Sequence, residues 1–345
     1  MSEKRTTIYD IANRLGISTA TVNRALTGKP RVKEETRALV IKTAKEMGFK
    51  PNTVARSLAR RRIKLAVLGF TSFPEFHGPF LSGARDAGKE LQDYNIELTC
   101  FSYDEGASNT PESDVFLEET LQAIADGGYD GVLALARPSG LFRTLMERGV
   151  YVAAAIEDIA PEDRRFYICY NGFAAGKIAA ELIYRLMPDR SRPVAIASGW
   201  RGRGIHQQME GGFREQMKRT PLDLCCISYN HDNPDIAYES TVRLLDARPE
   251  LGAIYVNSFN SSGVIRAVKE RGLAGKLLMI TSDINRELRA CISEGVVTAS
   301  IFQNQYEQGR LGLRMLYECI ANGETPGKVI AINPQIILSS NLDLF

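Results

Sequence analysis

Residues 18–24, with the sequence STATVNR, combine short hydroxyl and amide side chains with a single arginine. Side chains of these types form hydrogen bonds with the edges of nucleic-acid bases when they share one exposed helix face. Helical spacing predicts one such face, made up of Thr19, Ala20, Asn23 and Arg24. The alternative interpretation is a plain three-helix bundle, which does not require a polar face with Arg24 at its centre.

Three predicted helices position this face. Thr7 and Asp10 have the spacing of a capping box, and Gly16 suits the following turn because glycine accepts a positive φ. Ser18 is suited to cap the second helix, and residues 33–47 predict a third. The positions predicted to face inward are Ile8, Ile11, Ala12, Leu15, Val22, Ala25, Leu26, Leu39, Val40, Ala44 and Met47. This pattern is typical of a helix-turn-helix, whose second helix fits the major groove of DNA.

The net charge of +2 is the sum of a basic N-terminal segment and an acidic remainder. Residues 1–64 hold 16 of the 43 Lys and Arg residues and 5 of the 41 Asp and Glu residues, a balance of +11. The remainder of the chain carries −9. A basic, helically patterned segment on an acidic body indicates that the segment binds a polyanion, and nucleic acid fits best.

Residues 50–62, KPNTVARSLARRR, predict a short helix that begins at Asn52. A helix of this length is marginal in water, so we expect it to order against a partner, with its arginines near phosphates. Leu58 is placed to act as an apolar wedge that unstacks a base step in the minor groove. The alternative is that Leu58 packs on the next domain.

These motifs closely resemble the LacI/GalR family of bacterial transcription regulators, in order and in spacing: TIYDIANRLGISTATVNRAL, VKEETRALVIKTAKEMGFKPN and VARSLA. The resemblance implies a homodimer or tetramer that binds a pseudo-palindromic double-stranded DNA operator. Three residues depart from the family pattern: Asn23 and Thr27, which replace a usual serine and asparagine, and Lys33, which replaces a serine cap. The predicted DNA-binding residues are Thr7, Ser18, Thr19, Ala20, Thr21, Asn23, Arg24, Asn52, Ala55, Arg56 and Leu58.

Beyond residue 64, apolar runs alternate with helical patterns in two serial blocks, which predicts an α/β body with two parallel-sheet lobes. The predicted strands are 63–70, 96–103, 129–136, 150–156 and 166–170, then 193–198, 223–229, 251–256, 277–283 and 296–302. The body resembles the type I periplasmic sugar-binding-protein fold that the same family carries, in which the chain crosses between lobes three times.

The predicted organisation is therefore a small all-α helix-turn-helix head at 1–50, a hinge helix and linker at 51–64, and an effector-binding and dimerisation domain at 65–345. One lobe is predicted at about 65–165 and 300–327, and the other at about 166–299 and 328–345. Ligands of such sheets bind beyond the carboxyl ends of the strands, which here face each other across a cleft.

Candidate effector contacts follow from these strand ends. Phe73 and Phe76 offer aromatic faces to a sugar ring, or else pack within their loop. The resemblance implies that Asp283 and Gln303 contact the effector, with Asp283 accepting hydrogen bonds from hydroxyl groups. Either Glu157 or Asp158 faces the cleft. Asn257 and Asn260 are suited to bind hydroxyl groups or, alternatively, to cap a helix.

The glycine-rich loop at 198–213 differs from the family, because Met209 occupies a position that normally carries an arginine. Arg201, Arg203 and His206 cluster there before a predicted helix, where backbone N–H groups favour anions. The loop predicts an effector with a carboxylate or phosphate, or alternatively a solvated surface. Trp200 stacks on a ligand or closes a lobe.

Several classes of protein are excluded at this stage. The sequence has no P-loop, no G-x-S-x-G or H-E-x-x-H motif and only three histidines, so we expect no enzyme, cofactor or metal. Six scattered cysteines and the lack of an export signal or long apolar run predict a cytoplasmic protein with reduced thiols and no membrane contact. The predicted function is a regulator, most simply a repressor, controlled by a sugar, polyol or sugar derivative. The alternative is a solute-binding protein of a transport system.

Overall fold

The computed structural model of this protein describes residues 6–26, 30–49, 61–71, 73–103, 111–202, 204–324 and 326–345. The predicted hinge residues Asn52, Ala55, Arg56 and Leu58 lie outside the described residues, as do Thr27 and Arg203. The chain divides into two compact units, Met1–Arg61 and Arg62–Phe345, which are called the head and the body below.

The head contains three helices, α1 (Ile8–Leu15), α2 (Thr19–Leu26) and α3 (Glu34–Glu46). The predicted capping box is confirmed, because the Thr7 backbone N–H donates to Asp10 at 2.7 Å while the Asp10 N–H donates to the Thr7 hydroxyl. Gly16 ends α1 with a φ of 63°, the left-handed conformation that glycine adopts without strain. The Ser18 hydroxyl accepts from the Thr21 N–H at 3.1 Å, and Lys33 provides no side-chain cap for α3.

A small apolar core holds the three helices together. It consists of Ile11, Ala12, Val22, Ala25, Val40 and Ala44, with Ile8, Leu15, Leu26 and Met47 packed at its margin. The prediction for Leu39 is wrong, since 52% of this residue is exposed. Val40 and Ala44 lie on the inward face of α3, and Leu39 precedes that face by one position, about 100° around the helix.

The body alternates strands and helices, as predicted. Its strands are β1 (Ile63–Phe70), β2 (Ile96–Tyr103), β3 (Gly131–Ala134), β4 (Tyr151–Ala155), β5 (Phe166–Tyr170), β6 (Val194–Ser198), β7 (Leu224–Tyr229), β8 (Ala253–Val256), β9 (Leu278–Ser282), β10 (Ala299–Phe302), β11 (Val329–Ile332) and β12 (Gln335–Ile337). Its helices are α4 (Pro74–Glu90), α5 (Pro111–Asp126), α6 (Leu141–Glu147), α7 (Gly172–Leu186), α8 (Gly204–Met217), α9 (Pro234–Ala247), α10 (Ser262–Glu270), α11 (Arg286–Ser293) and α12 (Gln305–Asn322). No helix among these residues is both long and apolar enough to cross a membrane.

The strands form two six-stranded sheets with the orders β11-β5-β4-β3-β1-β2 and β12-β10-β9-β8-β6-β7. All pairings are parallel except that of β10 with β12. The chain passes from the first sheet to the second after β5, returns after β10 and passes again after β11. These three connections, residues 171, 303–304 and 333–334, are called the crossover segments.

This pairing corrects the predicted lobe boundaries at three strands. β5 and β11 pair with each other in the first sheet, although both were predicted in the second lobe. β10 pairs with β9 in the second sheet, although it was predicted at the start of a first-lobe segment. Apolar strands of this kind fit either sheet by pattern alone, so only the long-range pairing decides their place.

Close helix packing fixes the layers around each sheet. In the first lobe α4 lies against α12, and a Cβ on Gly83 would stand 2.0 Å from the Tyr306 carbonyl oxygen. In the second lobe α7 lies against α8, where a Cβ on Gly176 would stand 1.9 Å from the Met209 carbonyl oxygen. Glycine is required at both positions because any side chain would separate the paired helices.

Candidate DNA-binding and effector sites

Helix α2 presents the predicted polar face to solvent. Ala20, Asn23 and Arg24 are exposed and Thr19 is half-buried, while Val22 and Ala25 lie in the head core. The hydroxyl groups of Ser18 and Thr21 are hydrogen-bonded to each other at 2.9 Å at the start of the helix. The structure therefore brings an arginine, an amide and two hydroxyl groups together on one turn-flanked helix, the arrangement that reads base edges in a major groove.

The carboxyl ends of the strands in the second sheet carry the predicted polar residues of the body. Asp283 follows β9 and is only 1% exposed. Its carboxylate accepts hydrogen bonds from the Gln303 side-chain amide at 2.7 Å, the Gln303 backbone N–H at 3.2 Å and the Gln305 side-chain amide at 3.0 Å. Two residues predicted as separate effector contacts are thus bonded to each other, at a crossover segment.

Burial controls the charge of Asp283. Loss of water around the carboxylate disfavours the charged form and raises the pKa of Asp283 to about 7, although the three amide hydrogen bonds oppose this rise. The residue also adopts a φ of 63°, and its carbonyl oxygen accepts the Ser300 hydroxyl at 2.5 Å. Asp283 is therefore held rigidly, with a carboxyl group that changes charge near neutral pH.

The side-chain amide of Asn257 makes no hydrogen bond to the described residues, unlike the amides of Asn230 and Asn260. Asn257 follows β8 and is 1% exposed, and neither its side-chain nitrogen nor its oxygen has a hydrogen-bond partner within the part of the chain that the structure describes. A buried amide left in this state costs about 1–3 kcal/mol. Native structures usually satisfy such groups with water or a ligand, so Asn257 is the strongest candidate for an effector contact.

A satisfied network surrounds Asn257. The Asn230 amide donates to Ser258 at 3.5 Å, and its oxygen accepts the Asp232 backbone N–H at 3.0 Å. Asn260, a predicted effector contact, donates to the Asp232 carbonyl at 3.2 Å and accepts from the Ser262 hydroxyl at 2.8 Å. These contacts support a turn in which His231 and Asp232 both have positive φ, of 55° and 57°.

Aromatic side chains join the two lobes at this edge. The rings of Phe76, from α4, and Phe259, which follows β8, lie 5.0 Å apart in an edge-to-face contact. Phe76 also contacts His77 at 5.0 Å, and His77 contacts Phe70 at 5.1 Å. Phe73 is 47% exposed and begins α4 with a φ of 48°. Phe76 is therefore placed between the lobes and Phe73 beside it.

The acidic residues after β4 are Glu157 and Asp158, and the contacts of Asp158 are defined. The Asp158 carboxylate binds the guanidinium of Arg164, at 2.8 Å for one of the two hydrogen bonds, and Arg164 also donates to the Lys328 carbonyl. Asp158 is thus committed to an ion pair with a buried arginine, whereas Glu157 follows Ile156, which has a φ of 64°.

In the loop before α8, His206 and Arg201 of the predicted anion site contact other residues of the protein, and Arg203 lies outside the described residues. The ring nitrogen Nδ1 of His206 accepts the backbone N–H of Trp200 at 2.8 Å, so the imidazole holds the loop together. The Arg201 guanidinium lies 5.1 Å above the Tyr229 ring, and Trp200 contacts the His231 ring at 4.5 Å. Met209 is fully buried in the apolar core under the second sheet. No group of three metal-ligating side chains occurs among the described residues.

Comparisons with known proteins match this architecture. Residues 7–52 match the family described as "Bacterial regulatory proteins, lacI family", and residues 65–325 match "Periplasmic binding protein domain". The chain is 23% identical to the HTH-type transcriptional repressor PurR of Mannheimia succiniciproducens, over 97% of this chain and 98% of that protein. It is 25% identical to Catabolite control protein A of Priestia megaterium, over 96% and 97% of the two chains.

The chain belongs to the LacI family of bacterial regulatory proteins. It is a DNA-binding transcription regulator. Solved structures add the fold of the body: a periplasmic ribose ABC transporter protein of Conexibacter woesei superposes with a TM-score of 0.72 at 18% identity, covering 82% of this chain and 94% of that one. A solute-binding protein of Actinobacillus succinogenes, solved with D-allose, gives a TM-score of 0.70 at 18% identity, over 82% and 100%.

Three residues of this LacI-family regulator were missed by sequence reasoning. Gln305 and Asn230 are buried polar residues that hold Asp283 and the turn after β7, and Phe259 meets Phe76 between the lobes. Gln305 and Phe259 each lie two residues from a residue that was predicted, Gln303 and Asn257. Polar residues directly after a predicted strand were the available signal for Asn230.

Proposed function

We propose that this regulator binds its operator through α2 and releases or strengthens that binding when a small polyhydroxylated effector occupies the carboxyl edge of the second sheet. The observation that carries this proposal is the buried amide of Asn257, which has both a donor and an acceptor without a protein partner in the described chain. A sugar hydroxyl both donates and accepts, so it complements the amide as no purely anionic or apolar group does.

The surroundings of Asn257 support a neutral sugar or polyol. Asn230, Asn260 and Ser258 line the same strand ends, and Phe73 and Phe76 supply aromatic faces from the other lobe. Apolar faces with a few placed polar groups are typical of ligand sites. The D-allose found in the Actinobacillus succinogenes structure is of the same chemical class. His206 accepts the Trp200 backbone N–H at Nδ1, so this ring nitrogen serves the loop and does not bind an anionic effector.

The proposal extends to assembly and location. A homodimer, alone or within a tetramer, places two α2 helices in successive major grooves of a pseudo-palindromic operator, with the segment around Leu58 at its centre. The regulator is proposed to act as a repressor in the cytoplasm. A role in solute transport is not favoured, because the basic head with its exposed α2 face has no use there.

A ligand screen followed by operator titration tests this function. Full-length protein is heated with a panel of neutral sugars, sugar alcohols, sugar phosphates and sugar acids, because a ligand that binds only the native state raises the melting temperature. We expect a neutral sugar or polyol to give the largest rise and to change affinity for an operator selected from genomic fragments. A rise only with phosphates or acids, or no change in operator affinity, would contradict the proposal.

Two arginines of the head are expected to contribute differently to the discrimination between operator and random DNA. Arg24→Ala is expected to weaken operator binding by about ten- to a hundredfold and to reduce discrimination against random DNA, because a base contact contributes about 1–3 kcal/mol. Arg61→Ala is expected to weaken all DNA alike and to flatten the salt dependence, as loss of a phosphate contact does. Binding titrations over a range of salt concentrations measure both. An equal loss on operator and random DNA for Arg24→Ala would exclude its base-reading role.

A further inference from the structure

The edge strand β7 contains an irregularity that places two adjacent cysteines together. Val194 of β6 pairs with Leu224, but the next residue, Ala195, pairs with Cys226. Cys225 is therefore an extra residue, inserted as a β-bulge. β7 is the last strand of its sheet among the described residues, and none of those residues adds a strand beyond it.

The bulge changes which face each side chain occupies. Neighbouring residues of a regular strand point to opposite faces of the sheet. Here both Cys225 and Cys226 pack against the apolar cluster beneath α9 and α10, which contains Leu245 and Ile254, whereas Leu224 and Ile227 pack on the opposite face. Both cysteines are half-buried, and neither forms a disulfide.

Two thiols at adjacent positions on one face of a strand are an arrangement that suits chelation of a single thiophilic atom. Burial raises the pKa of the Cys226 thiol to about 11, so few thiolates exist at neutral pH. Thiol–disulfide exchange needs the thiolate and is therefore slow here. Chelation of an oxide of trivalent arsenic consumes the neutral dithiol overall, because both thiol protons leave with the arsenic-bound oxygen as water.

We propose that Cys225 and Cys226 form a binding site for trivalent arsenicals, separate from the effector site. In the reaction R–As=O with two thiols, two As–S bonds form, the As=O bond is lost, one water leaves, and arsenic keeps its oxidation state. Thiolates are the preferred ligands of soft, thiophilic elements. The cysteines are near the amino end of β7, whereas the effector site lies beyond its carboxyl end at Tyr229.

Phenylarsine oxide and intact full-length protein provide the test. Mass spectrometry is expected to show one adduct per chain, formed with loss of one water, and removed by a dithiol such as 2,3-dimercaptopropanol but not by excess monothiol. Cys225→Ser and Cys226→Ser are each expected to weaken binding at least a hundredfold. Cys291→Ser, at a buried cysteine elsewhere in the second lobe, is the matched control and should bind as the wild type does.

Two further measurements test whether the variants are folded and whether binding depends on the folded structure. Melting curves establish that each serine variant is folded, and Cys225→Ala replaces any variant that is not. Binding is also compared with the same chain unfolded in guanidinium chloride, which is expected to bind at least tenfold more weakly because the bulge no longer holds the thiols together. Equal binding by the unfolded chain or by a single-serine variant, or an adduct on another cysteine, would overturn the proposal.

Discussion

Replacing Asn257 by leucine is expected to raise the free energy of unfolding by about 1–3 kcal/mol while weakening effector binding by about ten- to a hundredfold. Leucine has the same branching and the same number of non-hydrogen side-chain atoms as asparagine and carries no polar atoms. It removes the cost of a buried amide that has no hydrogen-bond partner among the described residues. The same amide provides the donor and acceptor that we propose for a sugar hydroxyl, so stability and binding change in opposite directions.

Asn230→Leu is the matched control for this prediction. Asn230 is also 1% exposed and follows β7 of the same sheet, but its amide bonds to Ser258 and to the Asp232 N–H. Its replacement leaves those groups unpaired and is expected to lower the free energy of unfolding by about 1–3 kcal/mol. Denaturant unfolding of both variants without ligand, followed by calorimetry with the effector from the screen, measures the two effects. A destabilised Asn257→Leu protein would show that its amide already has a structural partner.

The sequence predicted the order of the elements because that order depends on local pattern. The capping box at Thr7 and the turn at Gly16 follow from nearby residues and are present in the structure. The predicted strand at 129–136 is shorter, at Gly131–Ala134, because its last residues continue past the pairing with β1. The exposed position of Leu39 was missed, since an apolar side chain one position from the core face satisfies the same helical pattern.

The site was predictable in composition but not in connectivity. Polar residues at strand ends were identified at Asn257, Asp283 and Gln303, since parallel strands end at a common edge. That Asp283 and Gln303 bond to each other depends on β10 lying beside β9, a pairing between distant segments. The same long-range pairing decided the lobe to which β5 and β11 belong. Local patterns carry no information on such partners.

As the pH rises from about 4 to about 7, the free energy of unfolding is expected to fall more steeply in the wild type than in Asp283→Asn. The difference between the two slopes is about 1.4 kcal/mol per pH unit. Burial raises the pKa of Asp283 from 3.8 to about 7. Between these values the folded chain keeps a proton that the unfolded chain has lost. Folding then takes up one proton, so a higher pH disfavours it. The stabilisation from this proton uptake is fully present below the pKa of Asp283 in the unfolded chain. It is lost as the pH rises to about 7 and does not change further above that pH.

Urea unfolding of the wild type and Asp283→Asn at intervals from pH 5 to pH 8 measures this difference. Asp86→Asn is the control, because Asp86 is a surface residue whose pKa is lowered by the hydrogen bond from Lys89. Its titration lies below the window, so the slope should match that of the wild type. Parallel curves for the wild type and Asp283→Asn would show that Asp283 is already charged at pH 5.

Ionisation of Asp283 is also expected to change the affinity for the effector. Asp283 holds Gln303, which lies in the crossover segment that returns the chain to the first lobe, and Gln305, which directly follows that segment. Ionisation strengthens these hydrogen bonds, because a charged acceptor binds amide donors more tightly than a neutral one. Asn257 and Asn260, which we propose as effector contacts after the neighbouring strand β8, do not titrate. Effector affinity should therefore change with pH between about 6 and 8 in the wild type and stay constant in Asp283→Asn, as calorimetry at each pH would show.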